Sequence, residues 1–121
     1  MDGPKELSQL FNNPFLSDIR IKQISTSGEI REYCAHKVVL CMESQYFMNA
    51  FKGGFKEASD SVIELHDDDP YYFEIVLKSI YSPGYHATVY DRTLDSPKEK
   101  VLAQIGTYII ADKYLVTLCL S

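Results

Sequence analysis

Apolar residues recur at two periods along this chain, and the switches between them mark out the elements. Leu7, Leu10 and Phe11 fall at i, i+3 and i+4, a short amphipathic helix over 5–12 that Asn12-Asn13-Pro14 ends. From Ser17 to Ser25, Ile19 and Ile21 alternate with Arg20 and Lys22, the period of a half-buried strand. Thr26-Ser27-Gly28 is turn chemistry, and Glu29 to Ala35 is the return strand of a hairpin. The run Ala35-His36-Lys37-Val38-Val39-Leu40 then opens a helical hairpin. Its second helix carries Phe47, Ala50 and Phe51 on one face, with Ser44 before it as N-cap, and ends at Gly53-Gly54. Ser61 to Leu65 is a third strand, with Ile63 and Leu65 on one side.

Asp67-Asp68-Asp69-Pro70 starts a further helix, because carboxylates suit the positive end of the helix dipole and proline suits the first helical position. Phe73, Val76, Leu77, Ile80 and Tyr81 form its buried stripe, and Ser82-Pro83-Gly84 stops it. Ala87 to Tyr90 fits a short edge strand. Ser96-Pro97-Lys98-Glu99 combines a capping box with proline at the first turn. The helix that follows runs from Pro97 to about Tyr114, with Val101, Leu102, Ile105, Tyr108 and Ile109 expected inward. Gly106 within it permits close approach of a neighbouring helix, and Val116 to Ser121 reads as another helix beginning. The order helix, β-hairpin, helical hairpin, strand, helix, helix defines an α+β fold, a small sheet covered by helices on one side.

Length and charge narrow the function. A chain of 121 residues makes one domain with a real core. Its net charge of −5 argues against nucleic acid or an anionic membrane as partner, since both require a positive field. No apolar run approaches the roughly 20 residues of a membrane span, and the start of the chain has no signal-peptide core. The odd set Cys34, Cys41 and Cys119 fits reduced thiols in cytoplasm or nucleus better than a disulfide framework.

Candidate chemistry adds little. His36 lies near Cys34 and Cys41, but a zinc site needs four convergent ligands with short Cys-x₂₋₄-Cys or His-x₃₋₅-His pairs. A histidine ring bonded to backbone where strand meets helix explains the residue, with the two cysteines as small core residues. His66-Asp67-Asp68-Asp69 lacks the EF-hand spacing and is explained by the helix start. No nucleophile-histidine-acid set, P-loop or G-x-S-x-G occurs. The chain is therefore expected to be no enzyme and to take no cofactor, metal or small-molecule substrate.

The order and spacing of these pieces resemble the BTB/POZ family. The resemblance is carried by Ser17-Asp18-Ile19, Ala35 to Leu40, Ser44-Gln45-Tyr46-Phe47, Phe51, Ile63-Glu64-Leu65, Pro70 with Phe73, and Ile80-Tyr81 before a Pro-Gly turn. It ends with Ala111-Asp112-Lys113-Tyr114-Leu115 and covers Leu7 to Leu120. Tyr108 to Tyr114 looks more like fungal members than animal zinc-finger ones. The resemblance implies a single domain over 1–121 with its core at 15–120, and a three-stranded sheet capped by about five to six helices.

It also implies a homodimer acting as an adaptor for a cullin-type ubiquitin ligase scaffold; the alternative is a dimerisation and recruitment domain in a transcriptional regulator or scaffold protein. Phe55-Lys56-Glu57 occupies the place of the family's hydrophobic-x-Glu cullin motif, which assigns partner binding to Phe55 and Glu57. Leu7, Leu10 and Phe11 are the expected dimer contacts, having too few partners if their helix stands apart from the core. The Asp18–Lys37 pair matches positions that face each other, buried, near the family's dimer groove; the alternative is a surface ion pair. Two departures stand out. The family's strongest dimers exchange an N-terminal strand, and few residues precede Ser17-Asp18 here; the segment between Gly84 and Ser96 is longer and more charged than the family's usual loop. No substrate-reading domain is recognised in these residues, so for a ligase adaptor the target-binding half is expected to be missing or to belong to a longer parent protein.

Overall fold

The computed structural model describes residues 3–52, 61–82 and 96–116. A single 3₁₀ turn, Leu7–Leu10, precedes strands β1 (Ile19–Ile24) and β2 (Ile30–Ala35). Helices α1 (Lys37–Glu43) and α2 (Gln45–Phe51) follow, then strand β3 (Val62–His66) and helices α3 (Pro70–Tyr81) and α4 (Pro97–Lys113). The sheet has the order β2-β1-β3, with β1 and β2 antiparallel and β1 and β3 parallel. The hairpin pairing puts Ile19 opposite Ala35 and Ile21 opposite Tyr33. Strand β1 lies between β2 and β3, so no tight turn can join those two, and the α1–α2 hairpin lies in the connection that passes from β2 across to β3.

Alternation decides which side of the sheet is covered. Ile19, Ile21, Tyr33, Ala35, Ile63 and Leu65 form its buried face, together with Leu40, Phe47, Phe73, Val76, Leu77, Ile80 and Tyr81 from the helices. The other face carries Arg20–Glu32 and Lys22–Glu64 pairs at 3.7 and 4.0 Å, half-exposed and worth little individually. The arrangement is α+β, a mixed three-stranded layer with helices on one side. Among the described residues there are four α-helices where five to six were expected.

One position on the buried face breaks the apolar pattern. Gln23 is 1% exposed, and neither side-chain atom of its amide has a hydrogen-bond partner among the described residues. A buried amide without partners forfeits its hydration without return. Gln23→Met keeps the length and removes the polar atoms. It is expected to raise stability by about 1–2 kcal/mol, seen as a higher urea midpoint at unchanged slope. A lower midpoint would show that the amide holds a partner that matters.

The helix starts follow the sequence. Ser44 Oγ accepts from Phe47 N at 3.1 Å and donates to the Tyr114 carbonyl at 2.6 Å, so one hydroxyl caps α2 and ties it to the end of α4. Asp69 Oδ1 accepts from Tyr71 N, with Pro70 next to it, and Ser96 Oγ accepts from Glu99 N.

Three expectations need correction. The N-terminal helix over 5–12 is only the 3₁₀ turn, because Asn12 leaves the helical region at φ 48° and spends its side-chain oxygen on Cys34 N at 2.9 Å. Val116 does not begin a helix. It forms an isolated antiparallel bridge with Ser44, while residues 117–121 lie outside the described set, as does the edge strand expected at Ala87–Tyr90.

The third correction concerns α4. Val101, Leu102, Ile105, Tyr108 and Ile109, expected inward, are between 40% and 65% exposed. The buried side is instead Ala103, Thr107, Ile110 and Ala111. At Gly106 a Cβ would meet the Tyr72 ring at 2.5 Å, so α3 and α4 approach as closely as a bare backbone allows. Such an approach selects the stripe of small residues, and the bulkier stripe is turned to solvent.

Candidate functional site

No described helix is long and apolar enough to cross a membrane. Besides the outward stripe of α4, an apolar patch lies at the N-terminal corner of the domain. His36 organises that corner. As the last residue before α1 it is the N-cap, yet its side chain makes no cap hydrogen bond. Its ring is committed elsewhere: Nδ1 lies 2.8 Å from the Tyr81 hydroxyl and Nε2 lies 2.7 Å from the Phe15 carbonyl. The carbonyl can only accept, so Nε2 carries the proton. The Tyr81 hydroxyl then donates to Nδ1 while accepting from His36 N at 3.0 Å. Burial pushes the Tyr81 hydroxyl well above the usual phenol range, so it stays a donor. Histidine is thus a strap between α3 and the N-terminal segment, as the sequence reading of a backbone-bonded ring required. Cys34 and Cys41 are half-buried rather than core, and burial pushes the Cys41 thiol up and away from reactivity.

With His36 occupied, the orphan N–H at the start of α1 is satisfied from another element. Asp18 Oδ1 accepts from Lys37 N at 2.8 Å, and Asp18 N in turn donates to the Ala35 carbonyl. Asp18 and Lys37 therefore do meet. In the single chain, however, the Asp18 carboxylate is exposed and caps a helix, and Lys37 Nζ stands 5.6 Å from the centre of the Phe51 ring.

The same straps hold Phe15 and Leu16 beside the start of α1. Leu16 has φ 56°, a conformation that disfavours L-residues by about 1–2 kcal/mol. Ser17 fixes it, with N donating to the Pro14 carbonyl and Oγ donating to the Ala35 carbonyl at 2.8 Å. The result is a leucine aimed at water, 78% exposed. On α1, Val38 and Met42 stand at i and i+4 and are 67% and 70% exposed, and Leu7 and Phe15 are exposed as well.

The expected dimer contacts divide. Leu7 is exposed, but Leu10 and Phe11 pack against the core, where Phe11 lies 6.1 Å from Tyr33 and from Tyr81, under the Lys78 ammonium. The premise that all three lack partners within one subunit is corrected: the chain bends back at Asn12 and lays Phe11 on α3. Phe15, Leu16, Val38 and Met42 were missed. Val38-Val39-Leu40 is apolar on all sides, so periodicity alone did not show that α1 buries Val39 and Leu40 and leaves the other half bare. Phe55 and Glu57 lie outside the described residues; α2, which precedes them, ends at Phe51.

A small sheet with helices on one face, carrying an exposed apolar corner, has the character of a protein–protein interaction module. The family profile of the BTB/POZ domain matches residues 7–110. The chain is also 33% identical over 108 residues to BTB/POZ domain-containing protein 6-A of Danio rerio, an alignment covering 89% of this chain and 17% of that protein. This chain belongs to the BTB/POZ family, whose members mediate protein–protein contacts and dimerisation and are not typically enzymes. It spans under a fifth of the length of the curated relative it matches.

Proposed function

We propose that the domain pairs with a second copy of itself through Leu7, Phe15, Leu16, Val38 and Met42, backed by Leu10 and Phe11, and that the pair serves as an adaptor for a cullin-type ubiquitin ligase scaffold. The observation that carries the first half is Leu16. A branched apolar side chain held in the left-handed region and turned to solvent is a stored cost, which a partner surface offsets by burying it. The Asp18–Lys37 contact lies at the α1 end of this surface, where a second copy would desolvate both residues. The adaptor half rests on the resemblance of Phe55-Lys56-Glu57 to the family's cullin motif. Phe55 fills an apolar pocket on the scaffold and Glu57 fixes the orientation by a charged hydrogen bond.

Leu16 and Met42 are exposed in the single chain, so Leu16→Asp with Met42→Asp leaves the fold intact. Light scattering is expected to show a dimer for the wild type and a loss of at least about tenfold in self-affinity at this surface for the double variant. A wild type that stays monomeric at high concentration, or a double variant that associates as tightly, overturns the pairing. For the adaptor half, a cullin N-terminal domain should co-elute with the wild type, and Phe55→Ala or Glu57→Lys should abolish the complex. If no complex forms at about tens of micromolar, a range readily seen by co-elution, the domain is instead a recruitment module without ligase role.

A further inference from the structure

The outward stripe of α4 has a symmetry of its own. At 100° per residue, Tyr108, Val101, Ile105, Ile109 and Leu102 fall in that order across roughly 120° of the helix, and all five are exposed. Ile105 is the midpoint. Val101 and Leu102 precede it by four and three residues, Tyr108 and Ile109 follow it by three and four, and Lys98 and Asp112 stand seven residues on either side within the same sector. Read backwards, the stripe is the same in apolar character and opposite in the sign of its end charges.

Those end charges are placed against the helix. A cation in the first turn and an anion in the last oppose the helix dipole, whereas the neighbouring Glu99 and Lys113 agree with it. Lys98 and Asp112 are both exposed, and neither makes an ion pair among the described residues. In an antiparallel copy the misplacement is repaired: Lys98 comes to face Asp112 of the other helix at both ends of the contact.

We propose that this face of α4 is a second self-association surface, in which two copies pack α4 against α4 antiparallel about a two-fold axis at Ile105. The occupant is another copy of this chain, because only an identical stripe supplies both the apolar register and the reversed charges. The surface lies on a different element from the N-terminal corner and does not depend on it. If both operate, two isologous contacts with different axes link copies into a closed tetramer or an open chain.

Sedimentation equilibrium of the full chain carrying Leu16→Asp and Met42→Asp isolates the α4 contact, and a monomer–dimer equilibrium is expected. Adding Ile105→Lys sets two ammonium groups on the axis and should weaken association about a hundredfold. Adding Lys98→Asp instead replaces two attractions by two repulsions and should weaken it about tenfold, while the helix itself gains an acidic first turn. Combining Lys98→Asp with Asp112→Lys should restore the affinity to within about twofold. Circular dichroism checks that each variant is folded. A monomer at every concentration up to about 1 mM, where even a feeble contact is populated, overturns the proposal. So does association that ignores Ile105→Lys, or a combined charge swap that fails to restore it. If Ile105→Lys alone takes the wild type to monomer, the α4 contact stands and the N-terminal pairing fails.

Discussion

Above about pH 10 the domain is expected to unfold in one cooperative step, with the tyrosinate absorbance of Tyr33, Tyr81 and Tyr114 rising together with the loss of helix. All three hydroxyls sit on residues no more than 3% exposed, and burial is the main reason each resists ionisation. Tyr33 is pushed up to about 12, with the nearby Glu74 carboxylate adding to burial. Tyr114 is raised further, burial being reinforced by its hydrogen bond to Asp68.

The sign follows from where the protons are held. Below pH 10 folded and unfolded chains both keep them, so stability is unaffected. Between the ordinary tyrosine value and the raised folded ones, only the unfolded chain releases them. Stability then falls by about 1.4 kcal/mol per pH unit for each tyrosine. Three such groups remove about 4 kcal/mol per unit, against a total of about 5–15 kcal/mol for a domain. The measurement is far-UV circular dichroism and tyrosinate absorbance on one pH series. Helix content surviving while all nine tyrosines titrate near pH 10 would show that these three are not held by the fold.

The second large effect concerns Asp68. Asp68 is 6% exposed, and its carboxylate receives the Lys113 ammonium at 2.7 Å and the Tyr114 hydroxyl, while Lys113 also donates to the His66 carbonyl at 3.0 Å. These bonds fasten the end of α4 to the turn between β3 and α3. Asp67 makes that turn: its φ of 69° is tolerable for aspartate, and its N–H donates to the Ile24 carbonyl. Asp68→Ala leaves a buried hydroxyl without an acceptor, although half-exposed Lys113 recovers water. The expected loss is about 3 kcal/mol, or roughly 10 °C in Tm. Adding Tyr114→Phe removes the stranded hydroxyl and should return about 1 kcal/mol, a coupling that a double-mutant cycle reads directly. A Tm for Asp68→Ala within roughly 2 °C of wild type, about a fifth of the expected shift, would contradict the network.

Asp68 also shows where sequence reading stopped short. Asp67-Asp68-Asp69 was legible as a helix start, and Asp69 does cap α3. Nothing in three adjacent aspartates told that the middle one turns inward to bind residues more than forty positions away. The candidate surface was legible to the same degree. His36 as a strap followed from its place between strand and helix, but its acceptor, Phe15 O, and the exposed Leu16 beside it depend on how the N-terminal segment bends at Asn12. The expectation for Phe55 and Glu57 rests only on the motif their positions resemble, and both lie outside the described residues.

Period and capping by themselves determined the strands, the helix starts and the buried face of the sheet, because they are local: alternation at Ile19 and Ile21, a hydroxyl at Ser44 and Ser96, a proline at Pro70. The tertiary structure alone decided which of two apolar stripes on α4 faces the core. A helix with apolar residues on two sides carries no preference within itself, and the ring of Tyr72 against Gly106 supplied one by demanding the stripe of small residues. What that choice left exposed is the stripe from Val101 to Ile109, apolar surface that burial against the core would otherwise have covered.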